Sequence, residues 1–191
     1  MLARTILALS LAVRVYDNTG VPPGDRASAL AAARDILKDA GIAVTWTDDD
    51  NVPAPAEVIV RIVTAPAEAL PGPLGFSLID VERRAGTLAT VYADRVTRLA
   101  ALSGTDPGRL LGRAMAHEIG HLLLGTTRHA DRGLMRGVWT SVELHRDRAW
   151  DWSLSREDVA RMRRGLAARL RGPDQPDAVV AQNPRQVQQV R

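Results

Sequence analysis

Hydrophobic and polar positions along the chain change their period several times, and each change marks a predicted element. Residues 11–16 are apolar with β-branched members and end at Asp17-Asn18-Thr19-Gly20 and Pro22-Pro23-Gly24, which predicts a strand and then a turn. Over residues 25–40 the apolar positions Ala29, Leu30, Ala33, Ile36, Leu37 and Ala40 keep helical spacing, and Gly41 stands where a left-handed C-terminal cap belongs. Residues 42–47 predict a second strand. The acidic turn Asp48-Asp49-Asp50 closes it and lacks the spacing and the glycine of a calcium loop. Beyond Pro53 and Pro55, the run Val58-Ile59-Val60-Arg61-Ile62-Val63 is almost continuously β-branched and predicts a central strand buried on both faces. Pro66, Pro71, Gly72 and Pro73 then break the chain. The stretch that follows, 74–79, is short and contains a glycine, as an edge strand does. A turn at Arg84-Ala85-Gly86 leads to a fifth strand over 87–93, and residues 94–102 predict a short helix capped by Asp94.

The longest helix begins at Asp106-Pro107, an N-cap followed by proline at the first helical position, and ends at Gly125. Leu110, Leu111, Met115, Ile119, Leu122, Leu123 and Leu124 cover most of its circumference, so it is predicted to be buried. Residues 129–152 show no clear periodicity and carry Trp139, Trp150 and Trp152. Ser155-Arg156-Glu157-Asp158 has the form of a capping box with Asp in place of the usual Glu or Gln. It opens a helix to about Leu170 with Val159, Met162, Leu166 and Leu170 as its apolar stripe. From Gly172 onward large apolar side chains are few, which predicts a disordered tail over 172–191 behind a single domain over 1–171.

Composition alters this picture at three points. With 46% hydrophobic and 25% charged residues in a chain of 191, the balance is that of a soluble globular protein. The net charge is only +3, and residues 155–191 carry eight arginines against four acidic residues, so the basic end leaves the body near neutral. The body has no basic field for nucleic acid, and the terminal arginines face an apolar packing stripe without interleaved aromatics. Cysteine is absent, so disulfides, thiolate ligands and cysteine nucleophiles are excluded and any metal site must use histidines and carboxylates. The uncharged stretch 5–13 has nine residues, too few to span a bilayer. It reads as the first buried strand, or as the remnant of an export signal over 1–10 with a small-x-small site at Ala8-Leu9-Ser10, which leaves a cytoplasmic and an exported location both open.

The chemistry concentrates in the long helix, at His117-Glu118-Ile119-Gly120-His121. Positions four apart lie roughly 6 Å from each other and about 40° around a helix axis, so His117 and His121 can converge on one ion. Glu118 projects about 100° away, beside the ion, where a general base for water is wanted. A carboxylate and two imidazoles in so apolar a helix need a partner, and zinc supplies one. The third ligand is read as His129, eight residues beyond His121, because a chain reversing at Gly125 can bring it back; Asp131, Glu143 and His145 stand in reserve.

With these residues the chain resembles the metzincin class of zinc metalloproteases, which carry HExxHxxGxxH on the active-site helix and a methionine-bearing turn beneath the metal. This sequence has HExxHxxxGxxxH, one residue more on each side of Gly125. The order of predicted elements also follows the family, with one short helix added. The resemblance implies a zincin-like α/β (α+β) fold: a mostly parallel, twisted five-stranded sheet with an antiparallel edge strand, packed on helices that include the active-site helix. It implies one Zn²⁺ ion and peptide-bond hydrolysis with Glu118 as base. Met135, in Arg132-Gly133-Leu134-Met135, becomes the Met-turn residue, or else a core methionine. Leu74, Gly75, Phe76 and Ser77 become a rail that pairs with an extended peptide or protein substrate. A zinc-stabilised binding module without catalysis is the alternative, and the intact Glu118 argues against it, because a purely structural site has no use for a base there.

Overall fold

The computed structural model describes residues 9–47, 57–69, 72–80, 82–83 and 85–171. The acidic turn at 48–50, the tail from 172, the start of the N-terminal apolar stretch and the turn residues Pro53, Pro55, Pro71 and Arg84 lie outside the described residues. Strand β1 (Leu9–Asp17) buries alternate side chains, Leu11, Val13 and Val15, as period-two patterning requires. Helix α1 (Pro23–Asp39) places proline in its first turn and turns Ala29, Ala33 and Leu37 inward. Gly41, at a φ of +71°, then swings the chain into β2 (Ile42–Thr47).

β3 (Glu57–Val63) corrects the expectation of a strand buried on both faces. Val58, Val60 and Ile62 are fully buried, Ile59 and Val63 are half-buried, and Arg61 is exposed, donating from Nη2 to Thr90 Oγ1 at 3.2 Å. One face of the sheet meets the helices, and the other is half open. β4 (Gly75–Asp80) and β5 (Ala85–Tyr92) form an antiparallel pair, and β1, β2, β3 and β5 run parallel in the order β2-β1-β3-β5-β4. The sheet is therefore mostly parallel with an antiparallel edge strand, and among the described residues nothing pairs with the outer edge of β4.

Helix α2 (Ala93–Ser103) starts one residue earlier than predicted, and Asp94 does not cap it. The N-cap position is Tyr92, which makes no side-chain cap, while Asp94 Oδ1 accepts from the Ala65 amide at 2.9 Å. Helix α3 (Pro107–Leu124) has the ends its sequence announces: Asp106 accepts from the Arg109 amide at 2.6 Å, and Gly125 takes the left-handed conformation at φ +61°. Its side chains Leu110, Met115, Ile119 and Leu122 are fully buried, and it packs against α1, β5 and β4.

The aperiodic stretch contains a helix that the apolar pattern does not show. α4 (Ser141–Arg146) covers less than two turns and buries only Leu144, so no stripe develops. Its signal is the capping box: Thr140 accepts from the Glu143 amide at 3.3 Å, and Glu143 accepts from the Thr140 amide at 2.9 Å. A 3-10 turn (Ala149–Trp152) leads to α5 (Arg156–Arg171), where Ser155 Oγ accepts from the Asp158 amide at 3.0 Å. α5 packs on α3 through buried Met162 and Leu166. Arg169 is drawn inward with them, donating to the Gly86 and Leu122 carbonyls at 2.5 and 2.7 Å.

Candidate metal centre

Because α3 is buried on nearly every side, its polar side chains are positioned by neighbours rather than by solvent. His117, Glu118 and His121 are 7%, 6% and 4% exposed. The two histidines stand one turn apart with Nε2 atoms 3.1 Å from each other. His117 Nδ1 lies 2.8 Å from the Leu134 carbonyl, and His121 Nδ1 lies 2.8 Å from the Thr126 carbonyl. A carbonyl can only accept, so both Nδ1 atoms carry the proton and both Nε2 atoms present bare lone pairs when the rings are neutral. Burial keeps them neutral: it pulls His117 down to about 4 despite the Leu134 carbonyl, and it lowers His121 despite the Thr126 carbonyl.

Two lone pairs facing each other at 3.1 Å repel, and a cation between them removes the conflict. Tetrahedral zinc with nitrogen ligands at about 2.0–2.1 Å separates those nitrogens by about 3.3 Å, so the spacing fits. His129 completes the group. The left-handed turn at Gly125 reverses the chain, and the His129 ring comes to 5.3 Å from the His117 ring and 4.9 Å from the His121 ring, centroid to centroid. One nitrogen from each of the three residues lies within 4.8 Å of the other two. The reserves do not join them among the described residues. Asp131 and His145 are exposed outside the cluster, while Glu143 is used by its capping box and by Arg136.

Glu118 lies beside the three imidazoles. Burial raises its carboxyl to about 7, and the hydrogen bond from Ser77 Oγ to Oε2, 2.7 Å long, works in the opposite direction. A buried carboxyl balanced near neutrality can hold or release a proton, which is the property a general base needs. Met135 is buried against Gly120: a Cβ on residue 120 would lie 2.6 Å from Met135 Sδ. The glycine inside His117-Glu118-Ile119-Gly120-His121 is thus what lets the methionine approach.

Leu74, Gly75, Phe76 and Ser77 line one wall of a 650 Å³ cleft that also reaches Leu99, Ala114, the three histidines and Glu118. Val138 and Trp139 line another part of it. Two contributions were not legible in the sequence. Ser77 turns its hydroxyl to Glu118 in addition to lining the cleft. Trp139 stands edge-on to His117 at 5.6 Å and donates from Nε1 to the Leu134 carbonyl at 3.3 Å, the same oxygen that orients His117. Behind it, Trp152 packs edge-on to Trp139 at 5.4 Å and under the Arg113 guanidinium at 3.9 Å. A cluster of tryptophans in an aperiodic segment was the only available signal for this wall.

The described residues include no helix long and apolar enough to cross a membrane. No described protein family matches the chain, and no curated protein matches it. Among solved structures, the archaemetzincin from Methanopyrus kandleri superimposes with a TM-score of 0.53 at 14% sequence identity, covering 87% of this chain and 99% of that one. The chain shares the fold of that protein, a mixed α/β architecture on a mostly parallel five-stranded sheet with an antiparallel edge strand.

Proposed function

We propose that the chain is a zinc-dependent peptidase in which His117, His121 and His129 hold one Zn²⁺ ion and Glu118 is the general base. The observation that carries this reading is the convergence of three imidazoles, with a buried carboxylate beside them, at the wall of an open cleft. Zinc bound there supplies Lewis-acid polarisation of a peptide carbonyl and makes water more acidic. The chain's own residues do the rest. The Leu134 and Thr126 carbonyls keep the Nε2 lone pairs aimed inward, and Glu118 accepts the proton of the attacking water. β4 offers the unpaired edge along which an extended peptide can add as a strand. Met135, packed against Gly120, would serve as the Met-turn residue. The lining of Leu74, Leu99, Val138 and Trp139 favours apolar side chains next to the scissile bond.

A cleft plugged by the tryptophan-rich segment would have favoured the inactive binding module. Instead Trp139 forms a wall, Trp152 is buried behind it, and Trp150 is 64% exposed. The test is incubation of the zinc-loaded protein with a diverse peptide library, with and without chelator, beside Glu118→Gln. Cleavage by the wild type alone, abolished by chelator, is expected. Zinc binding without cleavage of any peptide would leave the binding module, and normal turnover by Glu118→Gln would remove Glu118 from its role.

A further inference from the structure

The inward face of strand β4 is shaped around the side chain of Glu118. Alternation along the strand points Gly75 and Ser77 to the α3 side, while Phe76 and Leu78 are 39% and 54% exposed on the other. Ser77 Oγ lies 2.7 Å from Glu118 Oε2 and 2.9 Å from the Glu118 carbonyl oxygen. Two residues earlier the strand has no side chain at all. A Cβ on residue 75 would lie 2.4 Å from the Thr90 carbonyl oxygen and 3.1 Å from Glu118 Oε1. The two carboxylate oxygens therefore have different surroundings: Oε2 takes a hydroxyl proton in a hydrogen bond, and Oε1 sits over the bare backbone of Gly75.

We propose that Ser77 is a positioning residue for Glu118, fixing the carboxylate through Oε2 so that Oε1 is the atom that takes the proton from water. This rests on the peptidase reading. In the step itself an O–H bond of the attacking water breaks and an Oε1–H bond forms, while Ser77 keeps its own proton throughout. The strand thus has two functions set by its pleat, its outer edge for an extended peptide and its inner face for the base. The alcohol at position 77 holds one oxygen, and the bare backbone at position 75, which the Thr90 carbonyl of the neighbouring strand already requires, leaves the other uncovered.

The test compares the wild type with Ser77→Ala and Ser77→Thr in three measurements: zinc content by elemental analysis, kcat and KM on a peptide the wild type cleaves, and crystal structures of the metal-free proteins. Ser77→Ala is expected to keep its zinc and to lose about ten- to a hundredfold in kcat, the range set by one hydrogen bond to a charged group, with KM within about twofold. Ser77→Thr, which keeps the hydroxyl on a β-branched side chain suited to a strand, is expected to recover most of the loss. In the crystals the Glu118 carboxylate holds one orientation in the wild type and Ser77→Thr and leaves it in Ser77→Ala. The proposal is overturned if kcat is unchanged in Ser77→Ala, if Ser77→Thr is as impaired as Ser77→Ala, or if the carboxylate keeps its orientation without the hydroxyl. A wild type that cleaves nothing sinks the peptidase reading instead, and the crystallographic comparison then decides by itself whether Ser77 orients Glu118.

Discussion

Two of the three imidazoles stand on a buried helix and the third on an exposed loop, and the supports differ in kind. His117 and His121 are held by helix geometry and by one backbone carbonyl each. His129 follows the reversal at Gly125; its ring lies over His117 and beside Gly137, and no hydrogen bond among the described residues fixes it. The rings of His117 and His121 are thus each aimed by a backbone carbonyl, whereas the His129 ring is held by packing against His117 and Gly137. Two supports that differ in this way should respond differently to substitution.

The largest effect is expected on the helix. Glu118→Gln should lower turnover by about 10²–10⁴, the usual contribution of a general base, with zinc stoichiometry unchanged by elemental analysis. Loss of zinc along with activity would mean that the carboxylate supports the metal rather than the proton transfer. Next comes a direct contrast of supports. His121→Ala should weaken zinc binding at least about tenfold more than His129→Ala in a competition titration, since the His121 ring has an orienting carbonyl partner and the His129 ring has none among the described residues. Equal losses would break the distinction between helix and loop.

Legibility followed the same division. The ends of α3 were readable because Asp106, Pro107 and Gly125 each have a local backbone reason to be there, and His117, Glu118 and His121 were readable because four-residue spacing on a helix fixes geometry. The mostly parallel sheet with an antiparallel edge came from the resemblance, and the fold bears it out. What the sequence hid depends on tertiary contact. Ser77 meets Glu118 across 41 positions of chain, and the Leu134 carbonyl that orients His117 is backbone, which no side-chain pattern reports. Asp94 does not cap α2 because a carboxylate at a helix start serves equally well as acceptor for a neighbouring loop amide, and the fold supplies Ala65.

A smaller effect separates the two helix groups from each other in the metal-free protein. Folded Glu118 titrates at about 7 against 4.5 for the free side chain, so between those values the folded state keeps a proton that the unfolded chain has released. Its contribution to stability is full below pH 4.5 and is lost as pH rises to 7. His117 has the reverse sign: at about 4 against 6.5, the unfolded chain holds the extra proton, and stability rises with pH across that window. In the wild type the Glu118 trend opposes those of His117 and His121, which burial lowers alike. Glu118→Gln removes only the first, so the chelated variant should gain on the wild type as pH goes from 4.5 to 7, by up to about 3 kcal/mol in urea denaturation. A difference that stays flat with pH would show that burial of the carboxyl does not set its titration.

The smallest effect tests what holds the helix groups from behind. A Cβ at position 120 would meet Met135 Sδ at 2.6 Å, so the end of this flexible but buried side chain must shift within its packed surroundings. Gly120→Ala should therefore cost about 1–3 kcal/mol, the range for overpacking a core, although alanine is by itself the better helix former. In a Met135→Ala background the same substitution meets no sulfur, and helix propensity should turn the cost into a gain of up to about 1 kcal/mol. The double-mutant cycle isolates this contact from the rest of the loop. If Gly120→Ala costs the same in both backgrounds, the glycine serves something other than the methionine, and the link between Met135 and the histidine-bearing helix loses its physical basis.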